Sequence, residues 1–217
     1  MQNIDLVIFD CDGVLVDTER VANNVLHQHL SRYEWPLDLK DTERFFRGRS
    51  LSERLREAIN QYRLDLPTHF LETMQRETFE QFRTTNLSFP GCDKVVRRLQ
   101  SSPTKMCIAS SGSHEKMSLT LGQTHLLNYF PVRFSSHDVA RSKPAPDLFL
   151  KASDYFNTHP KQCLVIEDSE AGLVAADAAG MNSIGLHTQL TQAEQHRFPN
   201  TLFFSDHTEL LAWMERH

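Results

Sequence analysis

The run Leu6-Val7-Ile8-Phe9 passes without a polar interruption straight into Asp10-Cys11-Asp12-Gly13. A short, uniform apolar run bounded by turn residues predicts a strand buried on both faces, as in a parallel sheet. The pattern returns at 105–109, 163–166 and 183–186, and more weakly at 132–134 and 202–204. Helical patterns lie between these runs. Pro146 fits a first-turn position, and Leu148, Phe149, Ala152, Tyr155 and Phe156 then fall on one face. Ser169 suits the N-cap of a helix over 170–179 that ends at Gly180. Asp206, with Glu209 three residues on, has the form of a capping box before Leu210, Leu211 and Trp213. Strand and helix in alternation predict a doubly wound, mostly parallel α/β sheet.

The stretch from 17 to 84 breaks this alternation. It holds no convincing strand, while Val21, Val25, Leu26 and Leu30 have helical spacing, as do Leu51, Leu55, Ala58, Ile59 and Tyr62. Phe70, Leu71, Met74 and Phe79 fit a further helix less cleanly, and Phe89-Pro90-Gly91 marks the turn back to the sheet. The expected division is therefore an α/β domain of residues 1–16 and 85–217, interrupted by a helical domain of residues 17–84. With 217 residues, 40% of them hydrophobic, the chain can bury a full core. A net charge of −5 without a basic run argues against nucleic acid or a membrane surface as partner. The apolar runs are far short of a membrane span, and Met1-Gln2-Asn3-Ile4-Asp5 lacks the basic region and apolar core of a signal peptide. Cys11, Cys92, Cys107 and Cys163 show no metal or redox spacing, which points to reduced thiols in a cytoplasmic protein.

Four short segments carry the chemistry, each just after an apolar stretch. Asp10 and Asp12 follow the first strand, at the end where open α/β sheets bind ligands. One aspartate can attack phosphorus and the other can move the proton to and from the departing oxygen and the attacking water. Gly13 leaves backbone N–H groups exposed to cradle a phosphate. Alone, Asp-x-Asp-Gly also fits an acidic turn or a calcium loop. Glu167 and Asp168 end another apolar run and could complete an all-oxygen Mg²⁺ site with Asp10; alone they fit a simple helix cap equally well. Ser110 ends a third run and can donate to a phosphate oxygen. Lys143, ahead of Pro144, can balance the carboxylates and the transferring phosphoryl group. Singly each signal is weak; their order and placement after strands make the set.

With these segments in place the chain resembles the haloacid dehalogenase superfamily of phosphohydrolases, in its β-phosphoglucomutase-like branch. The matching residues are Asp10-Cys11-Asp12-Gly13-Val14-Leu15-Val16-Asp17-Thr18, Ser110-Ser111-Gly112, Ser142-Lys143-Pro144-Ala145-Pro146-Asp147-Leu148-Phe149 and Val165-Ile166-Glu167-Asp168-Ser169-Glu170-Ala171-Gly172. The resemblance spans essentially the whole chain and implies a Rossmann-like sheet with an inserted helical cap. It makes Asp10 the nucleophile and Asp12 the general acid/base. It assigns Mg²⁺, with Mn²⁺ as the alternative, to the Asp10 and Asp168 side chains and the Asp12 carbonyl, supported by Glu167. It has Ser110 and Lys143 hold the phosphoryl group, helped by the amides of Cys11, Asp12 and Ser111 beside Gly112. It also implies a monomer.

The sugar-phosphate mutases of that branch carry a histidine where this chain has Ala22 and an arginine where it has Leu51. A phosphatase is therefore expected, with a mutase as the alternative. Dehalogenases lack the second acid at the position of Asp12, because a halide leaves without a proton. A non-catalytic phosphate-binding protein would be expected to have lost at least one of Asp10, Asp12, Lys143 and Asp168. Arg47, Gly48, Arg49 and Ser50 fall in the cap loop that would face the substrate. Their arginines suit a carboxylate or second anion, as on a phosphosugar acid such as 6-phosphogluconate, or they pair with Glu43 or Glu53 on the surface. Ser113 and His114 border the same region, His114 as a helix-start residue. His27 and His29 are spaced too closely for one helix face.

Overall fold

The computed structural model describes residues 4–46 and 51–216. The chain divides into two compact units, one of residues 1–17 and 86–217 and one of residues 18–85.

The first unit is a six-stranded parallel sheet: β1 (Leu6–Phe9), β2 (Lys105–Ser110), β3 (Arg133–Ser135), β4 (Cys163–Glu167), β5 (Asn182–Leu186) and β6 (Thr201–Phe204). The strand order is β3-β2-β1-β4-β5-β6, so the chain winds outward from β1 in both directions. Direction reverses between β1 and β4, which pair from Leu6 with Cys163 to Phe9 with Ile166. Such a switch point leaves a crevice beyond the carboxyl ends of the strands. The double-sided burial expected of the apolar runs holds throughout β1 and β4, whereas β2 opens exposed at Lys105 and the edge strand β6 buries none of its residues fully. Alternate residues serve opposite faces: Leu6 and Ile8 join Leu148, Phe149 and Ala152 in one core, while Phe9 meets Phe130 edge-on at 5.4 Å.

In the second unit the helices are α1 (Thr18–Ser31), α2 (Leu39–Phe46), α3 (Leu51–Tyr62) and α4 (Phe70–Thr84). Buried Val21, Val25, Leu26 and Leu30 give α1 the apolar stripe read from the sequence. In α4 the buried residues are Phe70, Met74, Thr78 and Phe82, a cleaner helical repeat than the expected set, with Leu71 and Phe79 at its margins. Helix α2 had no sequence signal; Thr42 and Phe46 are its only fully buried residues, and Trp35 donates to Thr42 Oγ1. His27 and His29 take different partners, Thr42 and Glu77.

The remaining helices cover the sheet: α5 (Cys92–Gln100), α6 (His114–Gly122), α7 (Asp147–Tyr155), α8 (Glu170–Ala178), the single turn α9 (Gln192–Gln195) and α10 (His207–Met214). Pro146 is the N-cap of α7 rather than part of its first turn. Tyr155, expected on the buried face of α7, is exposed and leans edge-on against Phe134 and Phe156. Asp206 caps α10, but Glu209 reaches back to the Ser205 N–H instead of closing the box on Asp206. All four cysteines are buried free thiols. Among the described residues no helix is long and apolar enough to cross a membrane.

Candidate active site

The turn after β1 is wound tightly by its own backbone. Leu15 and Val16 both donate to the Cys11 carbonyl, and Gly13 donates to the Val16 carbonyl. Gly13 has φ +81°, a left-handed conformation that only glycine adopts without strain. A Cβ on Gly13 would collide with the Asp168 carboxylate, so the missing side chain is what lets Asp168 lie against the Asp10–Gly13 turn. Asp10 N–H donates to the Ile166 carbonyl at 2.9 Å, tying the turn to the end of β4.

Lys143 lies at the centre of the buried charge. Its ammonium donates to Asp10 Oδ1 and, at 2.6 Å, to Glu167 Oε1, with its side chain only 4% exposed. It also stands 5.0 Å from the centre of the Phe149 ring. The Lys143–Pro144 peptide bond is cis. Burial by itself pulls the Lys143 ammonium down, but the charges of Asp10 and Glu167 outweigh it and hold the lysine protonated. Burial pushes the Asp10 carboxyl up from the ordinary carboxylate range. Lys143 opposes that rise, and the nearby charges of Glu167 and Asp12 add to it. A buried carboxyl pushed upward by burial and only partly offset by a neighbouring ammonium is the environment of a reactive group.

Glu167 is held on both oxygens. Oε2 accepts from the Ser169 N–H at 3.0 Å and the Ser169 hydroxyl at 2.8 Å, while Oε1 takes Lys143. Gly172 in the first turn of α8 makes room, because a Cβ there would collide with the Glu167 carboxylate. Ser169 is thus both the α8 N-cap, accepting from the Gly172 N–H, and a clamp on Glu167.

Ser110 ends β2 and is buried, with its Oγ accepting from the Gly112 N–H at 3.1 Å. The next turn is fastened from β3: Ser135 Oγ donates to the Gly112 carbonyl and Ser136 Oγ to the Ser111 carbonyl, each at 2.8 Å. Ser111 Oγ meets Ser142 Oγ at 3.3 Å. Cys11 is fully buried, and burial, aided by the Asp12 and Asp10 charges, pushes its thiol well above the ordinary range, so it stays neutral. Asp12 is partly exposed, and its Oδ2 accepts from the Lys116 ammonium at 2.9 Å.

The structure therefore brings Asp10, Asp12, Ser110, Lys143, Glu167 and Asp168 together at the carboxyl ends of β1, β2 and β4. Arg47, Gly48, Arg49 and Ser50 lie outside the described residues. His114 opens α6, as the sequence suggests, with Ser113 as its N-cap, and pairs with Asp138 rather than with the carboxylates. Lys116, Ser135 and Ser136 were missed. The serines carry no sequence signal. Lys116 does carry one: it stands in the first turn of a helix, where a cation opposes the helix dipole.

Among the described residues no three His, Cys, Asp or Glu side chains form a metal-binding cluster by themselves. Two carboxylates and one backbone carbonyl do not require such a cluster, since Mg²⁺ keeps several waters and takes substrate phosphate oxygens as well. The Asp168 carboxylate lying against the Asp10–Gly13 turn puts oxygen donors of that kind side by side.

A family model described as haloacid dehalogenase-like hydrolase matches residues 7–186. The chain is 29% identical over 182 residues to the 6-phosphogluconate phosphatase of Escherichia coli (strain K12), covering 83% of this chain and 81% of that protein. It is 31% identical over 196 residues to (DL)-glycerol-3-phosphatase 2 of Arabidopsis thaliana, covering 84% of this chain and 79% of that protein. The crystal structure of a putative beta-phosphoglucomutase from Thermotoga maritima superposes with a TM-score of 0.82 at 24% identity, over 98% of this chain and 99% of that one, and this likeness shows the fold. The chain belongs to the haloacid dehalogenase-like hydrolase family. Within it the chain stands among phosphatases and is a phosphoric monoester hydrolase.

Proposed function

We propose that the protein is a Mg²⁺-dependent phosphatase of a small phosphorylated metabolite, either a sugar phosphate or a phosphosugar acid such as 6-phosphogluconate. The observation that carries this reading is the convergence of Asp10, Asp12, Ser110 and Lys143 on one strand-end crevice, with Lys143 buried between Asp10 and Glu167. The first relative above is named for 6-phosphogluconate, which supports the sugar-acid side of the proposal.

In this reading Lys143 and Ser110 hold the phosphoryl oxygens, and the amides of Cys11, Asp12 and Ser111, beside Gly112, complete the cradle. An Asp10 carboxylate oxygen attacks phosphorus and the ester P–O bond breaks. The departing oxygen takes a proton from Asp12, leaving an aspartyl-phosphate. Asp12 then takes a proton from water, whose oxygen attacks phosphorus and releases inorganic phosphate from Asp10. The Asp10 and Asp168 carboxylates and the Asp12 carbonyl would hold Mg²⁺, whose charge would let an anionic nucleophile approach an anionic phosphoryl group. Glu167 supports the metal site while its Oε1 takes the Lys143 ammonium and its Oε2 takes Ser169. Residues 17–84 act as the cap that selects substrate, with Arg47, Gly48, Arg49 and Ser50 as its recognition loop, and the enzyme works as a cytoplasmic monomer.

Phosphate release across hexose phosphates, phosphosugar acids, nucleotides and short-chain phosphates tests the proposal. Release should require Mg²⁺, stop on chelation and fall at least about a thousandfold in Asp10→Asn, as expected for loss of a nucleophile. Release that survives in Asp10→Asn refutes the aspartyl-phosphate route. Conversion of a sugar phosphate to its isomer without phosphate release identifies a mutase instead.

A further inference from the structure

Lys116 is placed with care. Its backbone N–H donates to Ser113 Oγ at 3.2 Å, and its carbonyl accepts from Thr120 Oγ1 at 2.9 Å. Buried Met117, Thr120 and Leu121 anchor the same helix. The side chain then spans from α6 to the turn after β1, 104 residues away in sequence, and its ammonium meets Asp12 Oδ2 at 2.9 Å. A single part-buried ion pair of this kind adds at most modestly to stability, and a cation in a helix's first turn works against the helix. Stability does not account for it. Lys143 already serves Asp10 and Glu167, so the two lysines divide the carboxylates between them.

We propose that Lys116 is a positioning residue for Asp12 in proton transfer to the leaving group. The bond from the ammonium to Oδ2 restrains the carboxyl group's rotation and so holds one orientation of Asp12 for proton transfer to the ester oxygen. As the P–O bond breaks, its electron pair goes to the ester oxygen, which receives the proton from Asp12. The carboxylate charge that develops on Asp12 is balanced by the ammonium already bonded to it. The inference rests on the reading of Asp12 as general acid. A Cβ on Gly112 would stand 3.4 Å from Ser110 Oγ, 3.5 Å from Asp12 Oδ2 and 3.7 Å from the Lys116 stem, so all three groups lie beside the same glycine.

The test is the dependence of kcat/KM on the leaving group. A series of substituted phenyl phosphates, with phenol pKa values from about 7 to about 10, varies the need for a proton while keeping the shape nearly constant. This ratio reports steps up to loss of the leaving group, so hydrolysis of the aspartyl-phosphate does not mask the effect. Lys116→Met should steepen the plot, with phenyl phosphate losing about tenfold more than 4-nitrophenyl phosphate. Lys116→Arg, which keeps the charge, should give a slope between those of the Met variant and the wild type. Asp12→Asn should give the steepest slope of all. Parallel lines for wild type and Lys116→Met overturn the proposal, because a residue that only stabilises the fold or binds substrate lowers every member equally. An unchanged slope in Asp12→Asn instead removes the acid role of Asp12 and with it the basis of the inference. Loss of all activity in the wild type would count against the phosphatase reading itself.

Discussion

At the scale of single residues, the site depends on atoms that are missing as much as on those present. Gly13 combines a left-handed φ of +81° with an approach by the Asp168 carboxylate that no side chain would permit. Gly172 does the same for Glu167 at ordinary helical angles. Gly13→Ala should therefore cost about 1–2 kcal/mol from backbone strain alone. It should also displace Asp168 and lower phosphate release by more than about a hundredfold, with a raised Mg²⁺ requirement, as expected when a metal ligand is misplaced. Gly122→Ala, where a Cβ meets nothing within 4 Å, is the matched control and should leave release at the wild-type rate. Urea unfolding and a Mg²⁺ titration of phosphate release measure both effects. Gly13 and the acids were legible in the sequence at this scale, whereas Lys116 left only the weak mark of a cation in a helix's first turn, which reads as surface charge until its partner is known.

Among the elements, the strands were the most legible. The strands β1 and β4 are buried throughout and wrote themselves as apolar runs, while β6 is largely unburied and read more weakly; the acids and hydroxyl at the ends of β1, β2 and β4 became site residues. Ser110 and Glu167 are the last residues of β2 and β4. The helices α1, α3, α4, α7, α8 and α10 were read from a cap or a stripe, whereas α2 offered neither and α5 was missed in spite of its stripe of Cys92, Val95, Val96 and Leu99. Helix α2 buries only two residues outright, and α5 begins after Gly91 with no side-chain cap. The misplaced Tyr155 has the same origin, since a 3.6-residue period cannot say where a helix leaves the core. Ser169 links element and site, because one hydroxyl caps α8 and clamps Glu167. Ser169→Ala should lower stability by about 1–2 kcal/mol, the range of a lost N-cap. Its phosphate release should fall as well, because Glu167 loses a donor and holds Lys143 less firmly. A urea midpoint moved with no change in kcat would separate the cap from the clamp and deny the second role.

For the whole molecule, the clearest acid-sensitive group lies away from the carboxylates. His207 is buried at the start of α10, its Nδ1 facing His187 Nε2 at 3.0 Å and its Nε2 without a hydrogen-bond partner. Phe89 stacks on His187 with ring centres 4.4 Å apart. Burial, with the His187 charge behind it, pushes His207 down to about 4, and the Val14 backbone and the Asp206 carboxylate only partly offset this. His187 is lowered too, chiefly by burial. The unfolded chain binds a proton on His207 below its ordinary value of 6.5, whereas the folded chain refuses it until about 4. Stability contributed by His207 is thus complete above the higher value and is lost as pH falls between the two. From about pH 7.5 to about pH 5 the loss should be about 2 kcal/mol. Urea unfolding at both pH values, in wild type and His207→Phe, measures it. The variant should show the smaller change, and an equal change in both would exclude His207 as the source.

Composition and local pattern by themselves determined the strand-forming runs, the doubly wound class, the helical stretch from 17 to 84 and the acids at the strand ends. Burial on two faces and turn geometry leave local marks that a single pass along the chain can read. Tertiary structure alone decided how those acids are served. Lys143 reaches Asp10 across 133 residues and Glu167 across 24, and Lys116 reaches Asp12 across 104. These pairs exist because the strand order sets β2 and β4 on either side of β1, so that their ends share one crevice. A pairing set by strand order has no local trace, because the same residues at the same spacings would meet different partners in a sheet wound another way.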